Sequence, residues 1–205
     1  MSKTLGNSPD PLDLIAKYGA DAVRLGMLLC SSAGNDILYD ESQIEQGRNF
    51  NNKVWNAFRL VTGWNVDEAA AQPEASVVAV KWFENKLSQV VETVEDHFSK
   101  FRISDALMTI YKFFWDDFCA WYLEAVKPAY GAGIDRLTYD ATIGFFDSLL
   151  KMIHPIMPFI TEELWQNMSE RKAGETIMNQ RYPQAKPYDA EFITNDNPGF
   201  GASYD

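Results

Sequence analysis

Arg48, Asn49, Asn52, Lys53, Asn56 and Arg59 fall in one short stretch at intervals that match a helical turn. Positions 48, 52, 56 and 59 recur at i+4 and i+3 spacing, opposite Phe50, Val54, Ala57 and Val61, with Asn49 and Lys53 alongside. Asn offers a donor and an acceptor to base edges, and Arg and Lys neutralise phosphate. The same pattern also describes a solvated helix face. Asn is a poor helix former, however, so three of them lower the propensity of the helix that carries them.

Other reactive residue types are present without the partners their chemistry needs. Asp116-Asp117 is a carboxylate pair, but adjacent helical residues point in different directions and no matching His or acidic set accompanies them. This argues against a metal site. His97, beside Asp96 near the end of a helical run, and His154 read as capping or packing residues. Cys30 and Cys119 lie far apart in apolar surroundings, without metal-ligand spacing, and suit a reducing compartment as small core residues. The sequence has no glycine-rich phosphate cradle, no serine or cysteine triad and no internal repeat.

Composition sets bounds. In 205 residues, 46% are hydrophobic and 14% aromatic, enough for a sizeable core and against disorder. No apolar run approaches the ~20 residues of a membrane span, and the polar first residues do not read as a secretory leader. The net charge of −11 argues by itself against a nucleic-acid partner, since phosphate binding wants a basic surface. The acidity is uneven. Residues 61–150 hold 14 acids and 7 bases, whereas residues 1–60 hold 7 acids and 6 bases, so any RNA contact belongs in the first third.

The elements that must position these residues are helical. Asp10 and Pro11 suit an N-cap and first helical position, and Gly19 a stop. A second short helix covers 20–30, with Val23, Met27 and Cys30 on one face and Arg24 on another; 31–40 is a turn-rich connector. A long helix over 41–61 buries Ile44, Phe50, Val54, Ala57, Phe58 and Val61. After a linker at 63–74, a third long run at 75–100 keeps Val80, Phe83, Leu87, Val90, Val91, Val94 and Phe98 on a stripe. A fourth, with Ser104 as N-cap, extends to 126 and carries Leu107, Ile110, Tyr111, Phe114, Phe118, Trp121 and Tyr122. That spacing favours core packing over a stacking platform for single-stranded RNA. A fifth run, 136–153, ends at Pro155, and Pro158 opens another helix. There Ile156, Phe159, Ile160 and Leu164 form a stripe beside Trp165, with Glu162 and Glu163 near the helix N-terminus. Thr176-Ile177-Met178 reads as a short extended segment, and 183–205 as a poorly ordered tail.

The order of residues in His154-Pro155-Ile156-Met157-Pro158-Phe159-Ile160-Thr161-Glu162-Glu163-Leu164-Trp165 resembles the closing element of the anticodon-binding domain in class I aminoacyl-tRNA synthetases for branched aliphatic amino acids. Met1-Ser2-Lys3-Thr4-Leu5-Gly6-Asn7 resembles that family's Lys-Met-Ser-Lys-Ser motif followed by Leu-Gly-Asn, entered at its second residue and with Thr4 for the last serine. Lys17-Tyr18-Gly19-Ala20-Asp21-Ala22-Val23-Arg24 resembles the stretch that joins the catalytic and helical domains and contacts the inner side of the tRNA. Residues 34–41 and the run 47–57 resemble the valine branch in particular.

The resemblance implies an all-α fold, a helical bundle of the anticodon-binding type with a small helical connector at its N-terminus. It divides the chain into a catalytic-loop remnant and stem-contact connector (1–40), the anticodon-binding bundle (41–182) and the tail. It implies a C-terminal piece of a cytoplasmic, monomeric enzyme that uses ATP with magnesium to charge valine-specific tRNA. Lys3 would stabilise charge on the ATP phosphates in the transition state, and Ser2 and Thr4 would shape the mobile loop. Arg48, Asn49, Asn52, Lys53, Asn56 and Arg59 would bind tRNA. The family's first catalytic motif, a His-x-Gly-His element, its nucleotide-binding sheet and its editing domain are absent, so the piece alone is expected to hold no cofactor and to be inactive. An isoleucine or leucine enzyme, or a free-standing helical protein-interaction module without RNA, are the alternatives.

Overall fold

Asp10 accepts a hydrogen bond from the Leu12 amide at 2.8 Å, and Pro11 takes the first helical position of α1 (Pro11–Tyr18). The coordinates are a computed structural model, which describes residues 9–31 and 39–195. Gly19 ends α1 at φ 87°, a backbone region that favours glycine, and α2 (Ala20–Leu29) follows at once. Asp40 caps α3 (Glu41–Thr62) by accepting from the Ser42 amide at 2.9 Å. Lys17 and Tyr18 both donate to the Glu41 carboxylate, at 2.8 and 2.7 Å, and join the end of α1 to the start of α3. The hydrogen bond from Lys17 holds the Glu41 carboxyl below its usual range.

The α2 and α3 helices cross with their backbones in contact. A Cβ on Gly26 would lie 2.6 Å from the Ile44 Cα, and one on Gly47 would lie 2.5 Å from the Ala22 carbonyl oxygen. Both glycines are buried. No other residue type fits, because a Cβ at either place meets backbone that has nowhere to go.

Four further elements complete the bundle. They are α4 (Glu74–Ser99), a rod made of α5 (Ile103–Lys112), a π-helical stretch (Phe113–Tyr122) and α6 (Leu123–Val126), then α7 (Arg136–Ile153) and α8 (Pro158–Met168). Apolar faces at helical spacing drive the packing, as expected from their sequence. Phe83 of α4 stacks on Phe113 at 4.9 Å and also meets Phe118, Tyr122 and Phe145. Phe114, Phe118 and Tyr122, each four residues apart, all face inward, and the wider π turns bring Phe113, five before Phe118, to the same side. The buried Tyr122 hydroxyl is within 2.8 Å of the Thr142 hydroxyl, which leaves neither group unsatisfied.

Several expectations need correction. The rod begins at Ile103, and Arg102 precedes it without a side-chain cap, so Ser104 sits inside the first turn. Phe98 and Trp121 are exposed: both fall at the margin of stripes whose centres are filled by Val91 and Val94 and by Phe118 and Tyr122. Phe159 is 65% exposed, because Thr161, Leu164 and Trp165 set the inward face of α8 and Phe159 lies opposite them. The linker at 63–74 is not merely a loop. Val66–Asp67 (β1) pairs in parallel with Ile134–Asp135 (β2), which pins the α3–α4 connection to the α6–α7 connection. Thr176 caps a short 3₁₀ turn, Ile177–Asn179, where an extended segment was expected. Residues 183–195 lie along α4 and end in α9 (Ala190–Asn195). There the Lys186 amide donates to Ser88, and Tyr188 donates to Glu92 at 2.8 Å.

Gly47→Ala should destabilise the chain by about 1–3 kcal/mol, the usual penalty for forcing atoms into a filled contact. Gly144→Ala is the control: this exposed residue inside α7 has nothing within 4 Å of its added Cβ. That change should be neutral or stabilising by up to about 1 kcal/mol, the difference in helix propensity. Urea unfolding of both variants checks the pair. Equal effects would mean that the α2–α3 crossing is not in backbone contact.

Candidate nucleic-acid interface

The α3 helix turns its apolar residues inward and leaves a continuous polar face outside. Ile44, Gly47, Phe50, Val54, Ala57 and Val61 are buried. Arg48, Asn49, Asn52, Asn56 and Arg59 are exposed, and Lys53 is half-buried at the edge. The six residues singled out in the sequence therefore share one surface. Among the described residues, Asn49, Asn52, Asn56 and Arg59 make no side-chain hydrogen bond or ion pair. All four residues are exposed.

Two of the cations lie over aromatic rings. The Arg48 guanidinium sits 5.7 Å from the centroid of Tyr18, and the Lys53 ammonium 5.2 Å from that of Trp115. These contacts hold both charges beside the face while keeping them at the surface. Tyr18 belongs to α1 and Trp115 to the π-helical stretch, so neighbours on both sides frame α3.

Sequence reasoning missed Trp55 and Leu60. Both are large and apolar, yet they are 43% and 42% exposed. Trp55 falls between Asn52 and Arg59 at i+3 and i+4 spacing, at one edge of the polar face, with Lys53 at the other. Its ring centroid is 6.3 Å from that of Phe58, which supports it from the half-buried side. The signal was available: extending the 48, 52, 59 series by helical steps includes 55. The surface thus combines cations, amides and an indole plane, the three group types that meet phosphate, base edge and base face.

Lys3, Ser2 and Thr4, expected to serve catalysis, lie outside the described residues. Asp116 and Asp117 sit in the π-helical stretch, and among the described residues no group of His, Cys, Asp or Glu could hold a metal ion.

Beside the interface stands the corner between α7 and α8. Pro155 stops α7, and Pro158 opens α8. The His154 ring Nδ1 lies 2.7 Å from the Thr161 hydroxyl, which itself donates to the Met157 carbonyl at 2.7 Å. The hydroxyl has one proton, so Nδ1–H of His154 is the donor to it. Burial pulls the His154 pKa below its ordinary 6.5, against the raising effect of Glu162 and Asp21. Trp165 donates from Nε1 to Asp147 at 2.7 Å, and the Arg171 guanidinium covers its ring at 3.5 Å. Asp21 of α2 accepts from the Phe159 and Ile160 amides, at 3.3 and 2.7 Å. Arg24 donates to the Ile156 and Pro155 carbonyls, at 2.8 and 3.1 Å.

Fold and face together define an all-α bundle domain whose first long helix presents a cationic, amide-bearing surface. The family model for the "Anticodon-binding domain of tRNA ligase" matches residues 80–197, and that for "tRNA synthetases class I (I, L, M and V)" matches residues 1–40. The chain belongs to the tRNA-ligase anticodon-binding family. It is 58% identical over 193 residues to the valine–tRNA ligase of Parabacteroides distasonis and 60% over 193 residues to that of Porphyromonas gingivalis. Each of these matches covers 94% of this chain and 22% of the relative, so the chain spans about a fifth of their length. The valine–tRNA ligase of Clostridium tetani is 39% identical over 193 residues. Among solved structures, the LeuRS of Agrobacterium radiobacter K84, in a ternary LeuRS-tRNA-LeuAMS complex, has the same fold. The TM-score is 0.64 at 20% identity, covering 90% of this chain and 22% of that one.

The depressed His154 pKa has a sign that can be tested. The unfolded chain takes up this proton first, so the stabilising effect of neutral His154 is complete above about 6.5 and is lost as pH falls below it. Burial pushes the Asp21 carboxyl upward, which acts with the opposite sign at lower pH. The informative comparison is therefore variant against parent. His154→Gln should lose less stability between about pH 7.5 and 5.5 than the parent does, read as urea midpoints; parallel profiles would exclude His154 from the acid sensitivity.

Proposed function

We propose that this chain is the anticodon-arm-binding part of a valine–tRNA ligase. In full length, that enzyme activates valine with ATP, together with magnesium, and transfers it to valine-specific tRNA. The observation that carries the reading is the outward face of α3, where Arg48, Asn49, Asn52, Asn56 and Arg59 are exposed between Trp55 at one edge and Lys53 at the other. The similarity to valine–tRNA ligases over nearly the whole chain supports the choice of valine. ATP is a substrate of the whole enzyme, and no cofactor is assigned to this part. Lys3 stabilises the charge that develops on the ATP phosphates, and Ser2 and Thr4 shape the loop around it. The working form is a cytoplasmic monomer.

The division of labour on the face follows from chemistry. Arg48, Lys53 and Arg59 neutralise phosphates of the anticodon arm without regard to sequence. Asn49, Asn52 and Asn56 read base edges, and the indole of Trp55 offers a plane for an unpaired base. The acidic surface of residues 61–150 repels the RNA backbone elsewhere and confines docking to the α3 side.

Filter binding of valine tRNA against a non-cognate tRNA, at several salt concentrations, tests this reading. Arg48→Ala, Lys53→Ala or Arg59→Ala should weaken binding to every tRNA and reduce the salt slope by up to about one unit each. Asn52→Ala or Asn56→Ala should reduce discrimination against a wrong anticodon by about 1–3 kcal/mol. Stability should change by no more than about 0.5 kcal/mol, since the altered atoms are at the surface. Parental binding in all these variants would assign the face to solvent and favour a protein-interaction module instead.

Catalysis gives a separate check. The chain alone should give no valine-dependent ATP–pyrophosphate exchange. In the full-length ligase, Lys3→Ala should raise the adenylation barrier by about 3–4 kcal/mol, comparable to the loss of one preorganised charge-stabilising donor. A change in rate below about threefold would remove the assigned role of Lys3.

A further inference from the structure

Two residues of α2 perform a task that no other side chain among the described residues performs. The α8 helix starts at a corner where Met157 occupies the cap position and supplies no side-chain acceptor. Its first amides are met instead by Asp21, whose side chain reaches Phe159 N and Ile160 N from a residue 4% exposed. A carboxylate there also complements the positive end of the helix dipole. On the other side of the corner, the Pro155 and Ile156 carbonyls are left over by the break in α7, and Arg24 donates to both. Asp21 and Arg24 are one turn apart, so α2 presents an acceptor and a forked donor to the two unsatisfied sides of one corner.

The position of this contact in the chain gives it meaning. Asp21 and Arg24 lie in residues 1–40, matched by the class I synthetase model, whereas all four partner residues lie in 80–197, matched by the anticodon-binding model. More than 130 residues separate the partners in sequence. The opposite side of α2 is fixed to α3 by the Gly26 and Gly47 crossing, and Gly47 precedes Arg48 of the candidate RNA face. The α2 helix is therefore held between the RNA-facing helix and the closing corner, and the chain leading back to Lys3 leaves from its N-terminal side.

We propose that Asp21 and Arg24 are positioning residues that lock the catalytic-side connector onto the anticodon bundle, so that tRNA seated on α3 is held in register with the active-site loop. This rests on the reading of α3 as the tRNA face. The lock itself touches no substrate. It removes slack between two distant contacts of one rigid ligand, and displacements of about 1 Å are enough to cost some hundredfold in a reaction that depends on alignment.

The test uses the full-length ligase with Arg24→Met, Arg24→Lys and Asp21→Asn, assayed well below their melting temperatures. Arg24 is exposed, so its replacement spares the core, and Lys retains a donor for one carbonyl. Three rates or affinities are compared: ATP–pyrophosphate exchange without tRNA, tRNA binding on filters, and kcat for charging. Exchange and binding should stay within about threefold of the parent, while kcat for charging falls tenfold or more in Arg24→Met and recovers partly in Arg24→Lys. Charging within threefold of the parent, with faster amide exchange at Phe159 and Ile160 proving that the corner has loosened, overturns the proposal in favour of a purely structural contact. An equal fall in pyrophosphate exchange also overturns it, because the damage then lies in the catalytic domain. Failure of the α3 reading looks different: alanine variants of the α3 face would then bind and charge like the parent, whatever the Arg24 variants do.

Discussion

The structure depends on the backbone contact between α2 and α3. Helices that meet through side chains can slide or tilt as rotamers change; helices that meet at Gly26 and Gly47 have no side chain between them to yield. The crossing fixes the direction of α3, and the rest of the bundle assembles on the inward face of that helix. It also fixes which face of α3 is outward. The polar surface of Arg48, Asn52, Asn56 and Arg59 is thus a consequence of two glycines as much as of its own residues.

Net acidity and the RNA contact proposed for α3 are compatible. Binding needs positive charge only where phosphate comes close, and charge of the opposite sign elsewhere discourages misplaced docking. Among the described residues, Asn49, Asn52, Asn56 and Arg59 are unpaired, whereas Lys17, Lys100, Lys127, Lys151 and Arg136 are engaged by acidic neighbours. Cations that are already paired lose little by remaining so and attract phosphate weakly. Those of the α3 face keep their charge available, steadied by rings of Tyr18 and Trp115.

The aromatic residues serve a different purpose from the one their abundance suggests. Phe83, Phe113, Phe114, Phe118, Tyr122, Phe145 and Phe146 form a connected set of ring contacts in the core. Such flat, rigid side chains fill the centre of the bundle and interlock by geometry. The π-helical stretch accommodates them by widening its turns. The rigidity that results keeps the α3 face and the α7–α8 corner in fixed relation, as the proposed tRNA contact would require.

The sequence by itself determined the helices. Caps and breakers act locally, so Asp10, Pro11, Gly19, Pro155 and Pro158 could be read without knowing what they pack against. The apolar stripe of α3 likewise fixed its polar face, because both follow from one period. Where stripes end was not legible: Phe98, Trp121 and Phe159 have core-type side chains in core-type spacing, and only the neighbours available at each place left them exposed. The parallel pairing of Val66–Asp67 with Ile134–Asp135 was equally hidden, since two-residue strands carry no periodicity. Trp55 needed only a complete helical wheel, but its meaning needed the exposure. Asp21 and Arg24 were decided by tertiary structure alone. Nothing near them in sequence asks for a buried carboxylate and a forked donor; that demand comes from the unsatisfied backbone of a corner more than 130 residues away.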